Sequence, residues 1–139
     1  MIVIYTDGSC KPTNPGPCGS GVLFIQDDEV KECRSTYLGI GTNNVAELTA
    51  ISVALDILDS RDLSWESSII ITDSKYAIGV LVGGWKAKKN VELIKGIRKK
   101  LENFPNTQLQ WTKGHSGDKF NDAVDELAKQ SIDLNAELF

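Results

Sequence analysis

What this chain lacks narrows it before any motif is read. Its 139 residues contain no run of about 18 apolar residues, so no helical membrane span is expected. The first residues enter a β-type pattern directly, with no basic segment followed by an apolar one, so no signal peptide is expected either. The three cysteines (Cys10, Cys18 and Cys33) are odd in number and lack CxxC spacing. They read as reduced thiols in a cytoplasmic protein, with a structural zinc site as the lesser alternative. Repeats, linkers and low-complexity stretches are missing too. What remains is an ordinary globular composition, 41% hydrophobic and 24% charged. A single domain over residues 1–139 is expected, burying about two-thirds of its unfolded surface.

Positive charge is also short overall. The net charge is −4, which looks wrong for a partner of nucleic acid. The distribution says otherwise. Lys86, Lys88, Lys89, Lys95, Arg98, Lys99 and Lys100 face a single acid, Glu92, between positions 86 and 100, a local net charge of +6. A basic patch of that kind matters more to a polyanion than the total. Its bland alternative is the solvated face of a helix.

The segment Ile2-Val3-Ile4-Tyr5-Thr6-Asp7-Gly8-Ser9 reads as a buried central strand, β-branched and aromatic. A Pro- and Gly-rich stretch, 11–19, follows as an irregular loop. Strands are expected at 22–25 and, on an edge, at 30–38. A helix over about 45–59 carries Leu48, Ile51, Leu55 and Leu58 at helical spacing, with Asn44 as its N-cap. Residues 69–73 form a short strand whose apolar run suits a parallel strand covered on both faces. Ser74 caps a helix to about 82, and Gly83-Gly84-Trp85 breaks it. A second helix spans about 91–103, a strand 109–111, and a final helix about 122–134. The order β-β-β-α-β-α-α-β-α predicts an α/β fold, a five-stranded mixed sheet flanked by helices, with strand four parallel to strand one.

Four carboxylates sit awkwardly in this pattern. Asp7 closes a buried strand, where an unpaired carboxylate is costly; the alternative is an Asp-Gly hairpin turn, but a long loop-like stretch follows. Glu47 falls on the apolar stripe of its helix, beside Ile51, Ala54 and Leu58, although a capping box with Asn44 also explains it. Asp73 ends a parallel strand, where such sheets bind ligands; helix capping is the competing reading. Asp125 lies beside the stripe of Val124, Ala128 and Ile132, while Asp122 and Glu126 rotate outward; the helix dipole alone would also favour early acids. Together they place acids at two adjacent strand ends and on two covering helices. Such a convergence, with no lysine expected nearby, is self-repelling unless hard divalent cations relieve it, and all-oxygen ligation favours Mg²⁺ or Mn²⁺ over zinc. Setting these four aside leaves 15 acids against 15 bases.

At this point the residues resemble a known family. Thr6-Asp7-Gly8-Ser9, Asn14-Pro15-Gly16-Pro17, Thr42-Asn43-Asn44 with Glu47-Leu48, Thr72-Asp73-Ser74, Lys113-Gly114-His115-Ser116-Gly117, and Asn121 with Asp125-Glu126-Leu127-Ala128 are similar to type 1 ribonuclease H. The matches keep the family's order from about residue 4 to 130. The resemblance implies a ribonuclease H-like fold and an endonuclease that cuts the RNA strand of RNA–DNA hybrids. It implies Asp7, Glu47, Asp73 and Asp125 as ligands of two Mg²⁺ ions, with Mn²⁺ able to substitute and Asp7 bridging both. Two such metals activate water and stabilise the leaving oxygen of an in-line displacement, giving 5′-phosphate and 3′-hydroxyl ends.

His115, the chain's single histidine, resembles the family's mobile histidine, associated with proton transfer or product release. A lone loop histidine is otherwise incidental. Asn14, Asn43, Asn44 and Lys75 resemble contacts to hybrid backbone and minor groove. Thr42 and Asn90 resemble a pocket for a DNA-strand phosphate. Trp85 is read as stacking on the DNA strand or packing on the sheet, with Lys86, Lys88 and Lys89 beside it. Two departures stand out. Ile40 occupies a position that is often Arg in the family, and the long basic handle of the best-known bacterial form is absent. Lysines at 86–89 and 95–100 are expected to substitute in part, with weaker, more salt-sensitive binding. A catalytically silent hybrid-binding module and a DNA-cutting nuclease on the same fold are the competing functions. A cytoplasmic monomer is the expected state.

Overall fold

The computed structural model describes residues 1–114 and 118–138, without the side chains of 136–138. Its elements are β1 (Ile2–Cys10), β2 (Gly16–Gln26), β3 (Glu29–Gly41), α1 (Asn43–Ser60), β4 (Ser68–Thr72), α2 (Lys75–Leu81), α3 (Val91–Leu101), β5 (Thr107–Trp111) and α4 (Lys119–Leu138). The expected order holds. The sheet runs β3-β2-β1-β4-β5. Its first three strands pair antiparallel, and β4 is parallel to both β1 and β5.

The pattern of side chains explains the layers. Ile2 and Ile4 of β1, Val22 and Phe24 of β2, and Ile70 of β4 are buried against Leu48, Ile51, Leu55 and Leu58 of α1. Ile94 and Ile97 of α3 and Val80 of α2 complete that core. Helix α4 lies against β1, β2 and β3. Gly8 meets α1, whereas Gly21, the strand partner of Asp7, meets the Val124 carbonyl of α4. Because successive strand residues point to opposite faces, α1 and α4 cover the two faces of the sheet.

Four expectations need correction. The loop predicted at 11–19 is shorter, since β1 continues to Cys10 and β2 begins at Gly16. Gly16 and Pro17 pair with Gly41 and Ile40, so the β2–β3 ladder absorbs residues whose composition suggested a loop. The pairing of β1 with β2 also overturns the reduced-thiol reading of two cysteines. Cys10 and Cys18 are cross-strand partners and are joined as a disulfide, while Cys33 is free and exposed. Finally, α1 is capped by Thr42, not Asn44: Thr42 is extended (φ −123°, ψ 159°) and its side chain accepts from Val45 N. The last helix also starts earlier and ends later than predicted, at Lys119–Leu138.

Candidate active site

The strand ends and helix starts converge on one edge of the sheet. Asp7 lies near the end of β1, Asp73 follows the last residue of β4, and Glu47 sits in the second turn of α1. With Thr42 as cap, Glu47 is too far along the helix to serve a capping box, which removes that alternative. One carboxylate oxygen from each of Asp7, Glu47 and Asp73 lies within 4.8 Å of the others. Asp7 and Glu47 are buried, at 6% and 8% exposure, and among the described residues Glu47 Oε2 has no hydrogen-bond partner.

Such crowding should resist ionisation, and it does. Burial pushes the Asp7 carboxyl up to about 8. A hydrogen bond with Glu47 opposes the rise, while the charges of Asp73 and Asp125 add to it. Burial, then the charges of Asp7 and Asp73, hold Glu47 well above the usual carboxylate range. Both acids resist ionisation in this setting, and a bound cation would favour their charged forms.

Asp125 reaches the site from α4 and hydrogen-bonds Asp7. It also forms an ion pair with Lys129, one turn on, at 2.9 Å. This lysine corrects the expectation that none stands near the acids. A spacing of four on a helix is the signal that could have found it. Tyr5 fixes the start of α4 against β1, its hydroxyl donating to Asp118 Oδ2 at 3.0 Å and its ring 5.6 Å from that of Phe120. Burial, helped by Asp118, raises the Tyr5 hydroxyl above its ordinary value. His115 lies outside the described residues.

A cleft of about 650 Å³ is lined by Asn14, Thr42, Asn43, Asn44, Trp85, Lys86, Lys88, Lys89 and Asn90, among others. The structure thus gathers nearly all the residues predicted to touch substrate. Asn14 Oδ1 accepts from Asn43 N at 3.0 Å, tying the β1–β2 loop to the start of α1. Asn90 adopts a left-handed conformation (φ 57°) and its amide donates to the Tyr76 hydroxyl at 3.3 Å. Trp85 is 53% exposed, and its ring packs on Gly79 of α2. Lys75 stands apart from the cleft, over the ring of Trp111.

The wider basic patch is only partly available. Arg98 donates to the Val80 and Trp85 carbonyls, and Lys100 binds Asp56 and Ser52, each at 2.7 Å. Of the patch, Lys86, Lys88 and Lys89 line the cleft. Ile40 is 76% exposed on β3 and is not among the cleft's lining residues.

Comparison with known proteins agrees with this geometry. The family model described as RNase H matches residues 1–133. A ribonuclease H of Ruthia magnifica is 39% identical, the alignment covering 95% of each chain. A ribonuclease HI of Shewanella oneidensis is 35% identical over 97% of this chain and 89% of its own. Among solved structures, that of LC11-RNase H1 in complex with RNA/DNA hybrid superposes with a TM-score of 0.85 at 30% identity, covering 98% of this chain and 99% of that one.

Proposed function

The chain belongs to the RNase H family, and from that premise we propose a metal-dependent endonuclease that hydrolyses the RNA strand of RNA–DNA hybrids, leaving 5′-phosphate and 3′-hydroxyl ends. The observation that carries this reading is the group of Asp7, Glu47 and Asp73, three carboxylates within 4.8 Å. A binding module would gain nothing from burying acids that repel one another.

The residues fit a hard divalent cation. Every donor is a carboxylate oxygen, and the orphaned Glu47 Oε2 is a buried acceptor that lacks a donor. Asp7, Glu47, Asp73 and Asp125 would hold two Mg²⁺ ions, with Mn²⁺ as a substitute. Bound there, such ions lower the pKa of an attacking water and stabilise charge on the leaving oxygen.

The chain's own residues do the rest. Asp7 is carried near the end of β1, the central strand of the sheet, paired on β2 at Gly21. Glu47 arrives on a helix whose buried face leaves it no freedom to turn away. Lys129 pairs with the Asp125 carboxylate, and a cation bound at the site would compete with that lysine for it. Asn14, Asn43 and Asn44 present amides that can both donate and accept, suited to 2′-hydroxyls and base edges in a minor groove. Thr42, Asn90 and the lysines at 86, 88 and 89 face a DNA-strand phosphate, and the exposed part of Trp85 offers a stacking surface. His115 is assigned proton transfer or product release on the family resemblance. No helix among the described residues is long and apolar enough to cross a membrane; a cytoplasmic monomer acting on nucleic acid is the state we assign.

The test uses labelled RNA–DNA hybrid, double-stranded RNA and double-stranded DNA with Mg²⁺. Cleavage confined to the RNA strand of the hybrid supports the reading. Cleavage of double-stranded DNA, or hybrid binding without cleavage, overturns it.

A further inference from the structure

Trp111 ends β5, the strand at one edge of the sheet, and is 42% exposed. Its backbone pairs with Thr72, the last residue of β4, and the next residue continues the ladder, Thr112 N donating to Thr72 O at 2.9 Å. Asp73 comes one residue later, beyond the end of the β4 strand. The indole reaches it there: Trp111 Nε1 donates to the Asp73 carbonyl at 3.1 Å. On the indole's face, Lys75 Nζ stands 4.6 Å from the ring centroid. One side chain therefore engages the residues on both sides of Ser74, the N-cap of α2.

Asp73 needs such a support more than its neighbours do. Asp7 is held inside a central strand and Glu47 inside a buried helix. Asp73 is the least buried of the three and sits in a bend between a strand and a helix. Its carboxylate is backed by Gly114, where a Cβ would stand 2.7 Å from Asp73 Oδ2. Gly114 limits retreat of the side chain; the indole limits rotation of the peptide that carries it.

We propose that Trp111 is a positioning residue for the metal site, its indole N–H fixing the Asp73 main chain so that the carboxylate faces Asp7 and Glu47, while its ring face holds the Lys75 cation. This rests on the reading that the carboxylates bind divalent cations. Trp111→Phe keeps a ring for Lys75 and removes only the N–H donor and the outer ring. The Asp73 carbonyl is then free to turn, and the carboxylate samples positions that no longer suit a shared cation.

The experiment measures Mn²⁺ binding directly, by electron paramagnetic resonance of the free ion, on wild type and Trp111→Phe. The Mn²⁺ Kd is expected to rise about tenfold, the lower end of what loss of a group that orients a metal ligand costs. Hybrid affinity without metal should stay within about twofold, and kcat should recover at saturating metal. A second measurement leaves Trp111 in place. In a Trp65→Phe, Trp85→Phe background the emission of Trp111 should shift on Mg²⁺ addition, because its N–H partner is the backbone of a ligand. Wild-type Mn²⁺ affinity in Trp111→Phe, or Trp111 emission blind to Mg²⁺ in a protein that binds it, overturns the proposal. Failure of wild type to bind Mn²⁺ at all overturns the cation reading, and this proposal with it.

Discussion

Gly8 lies directly against the backbone of Glu47: a Cβ at Gly8 would overlap the Ala46 carbonyl carbon and the Glu47 amide nitrogen. The residue after the central acid thus sets how closely α1 crosses β1, and through it where the Glu47 carboxylate stands. Backbone on backbone leaves nothing flexible to yield.

Gly8→Ala should therefore damage the site before it damages the fold. Moving α1 out by about an ångström costs on the order of 1–3 kcal/mol, the usual range for overpacking. Hybrid cleavage should fall on the order of a hundredfold, as expected when a catalytic group is misplaced by about 1 Å. Steady-state kinetics beside a thermal melt checks both numbers. A variant that is destabilised yet fully active would show that α1 can shift without moving Glu47.

The metal-free protein should lose stability as pH rises. Asp7 titrates near its ordinary value of 3.8 when unfolded and at about 8 when folded, with Glu47 raised in the same direction. Between those values the folded state holds protons that the unfolded state has released, so each increment of pH favours unfolding. The loss is on the order of a few kcal/mol across that window, since a tenfold change in proton activity is worth about 1.4 kcal/mol for each proton retained. Divalent cations compete with those protons and bind best when the acids are ionised. In EDTA the melting temperature should fall from about pH 5 to about pH 8; Mg²⁺ should raise it more at the upper end of that range than at the lower. Calorimetry across pH, with and without Mg²⁺, measures both trends.

Hybrid binding should be strongly salt-dependent despite the net charge of −4. Lys86, Lys88 and Lys89 line the cleft, whereas Lys100 is tied to Asp56. Replacing the first three with Ala should flatten the slope of log affinity against log salt by about 2–3, at roughly 0.7–0.9 per phosphate contact. Lys100→Ala should leave the slope unchanged. Fluorescence anisotropy of labelled hybrid over a salt series gives the slopes, and a wild-type slope near zero would contradict this view of the patch.

Features of the fold and site are legible in the sequence where their signal is local. Asp7 and Glu47 can be found because an acid inside an apolar pattern is anomalous whatever the tertiary structure. The element order follows from hydrophobic period and breakers. Register is not legible. Cys10 and Cys18 become partners only once β1 and β2 are paired, and the spacing rules for cysteines say nothing about hairpin registers. Trp111 likewise acquires its place from the parallel pairing that sets it opposite Thr72. Thr42 displaces Asn44 as the cap because the choice rests on backbone angles at the end of β3. The basic patch can be counted but not apportioned, since the carbonyls and the carboxylate that engage Arg98 and Lys100 come from distant turns and helices.

The central claim is that Asp7 anchors a cation-binding carboxylate site that cuts the RNA strand of hybrids. Asp7→Asn keeps the size of the side chain and removes its charge, relieving the repulsion that burial imposes. The most direct measurement is the rate of RNA-strand cleavage in a hybrid with saturating Mg²⁺, for wild type and Asp7→Asn, alongside a melt of each without metal. The expected result is a loss on the order of a thousandfold or more in rate, in a variant at least as stable as wild type at pH values near the Asp7 pKa of about 8. A variant that cuts within about tenfold of wild type would contradict the claim.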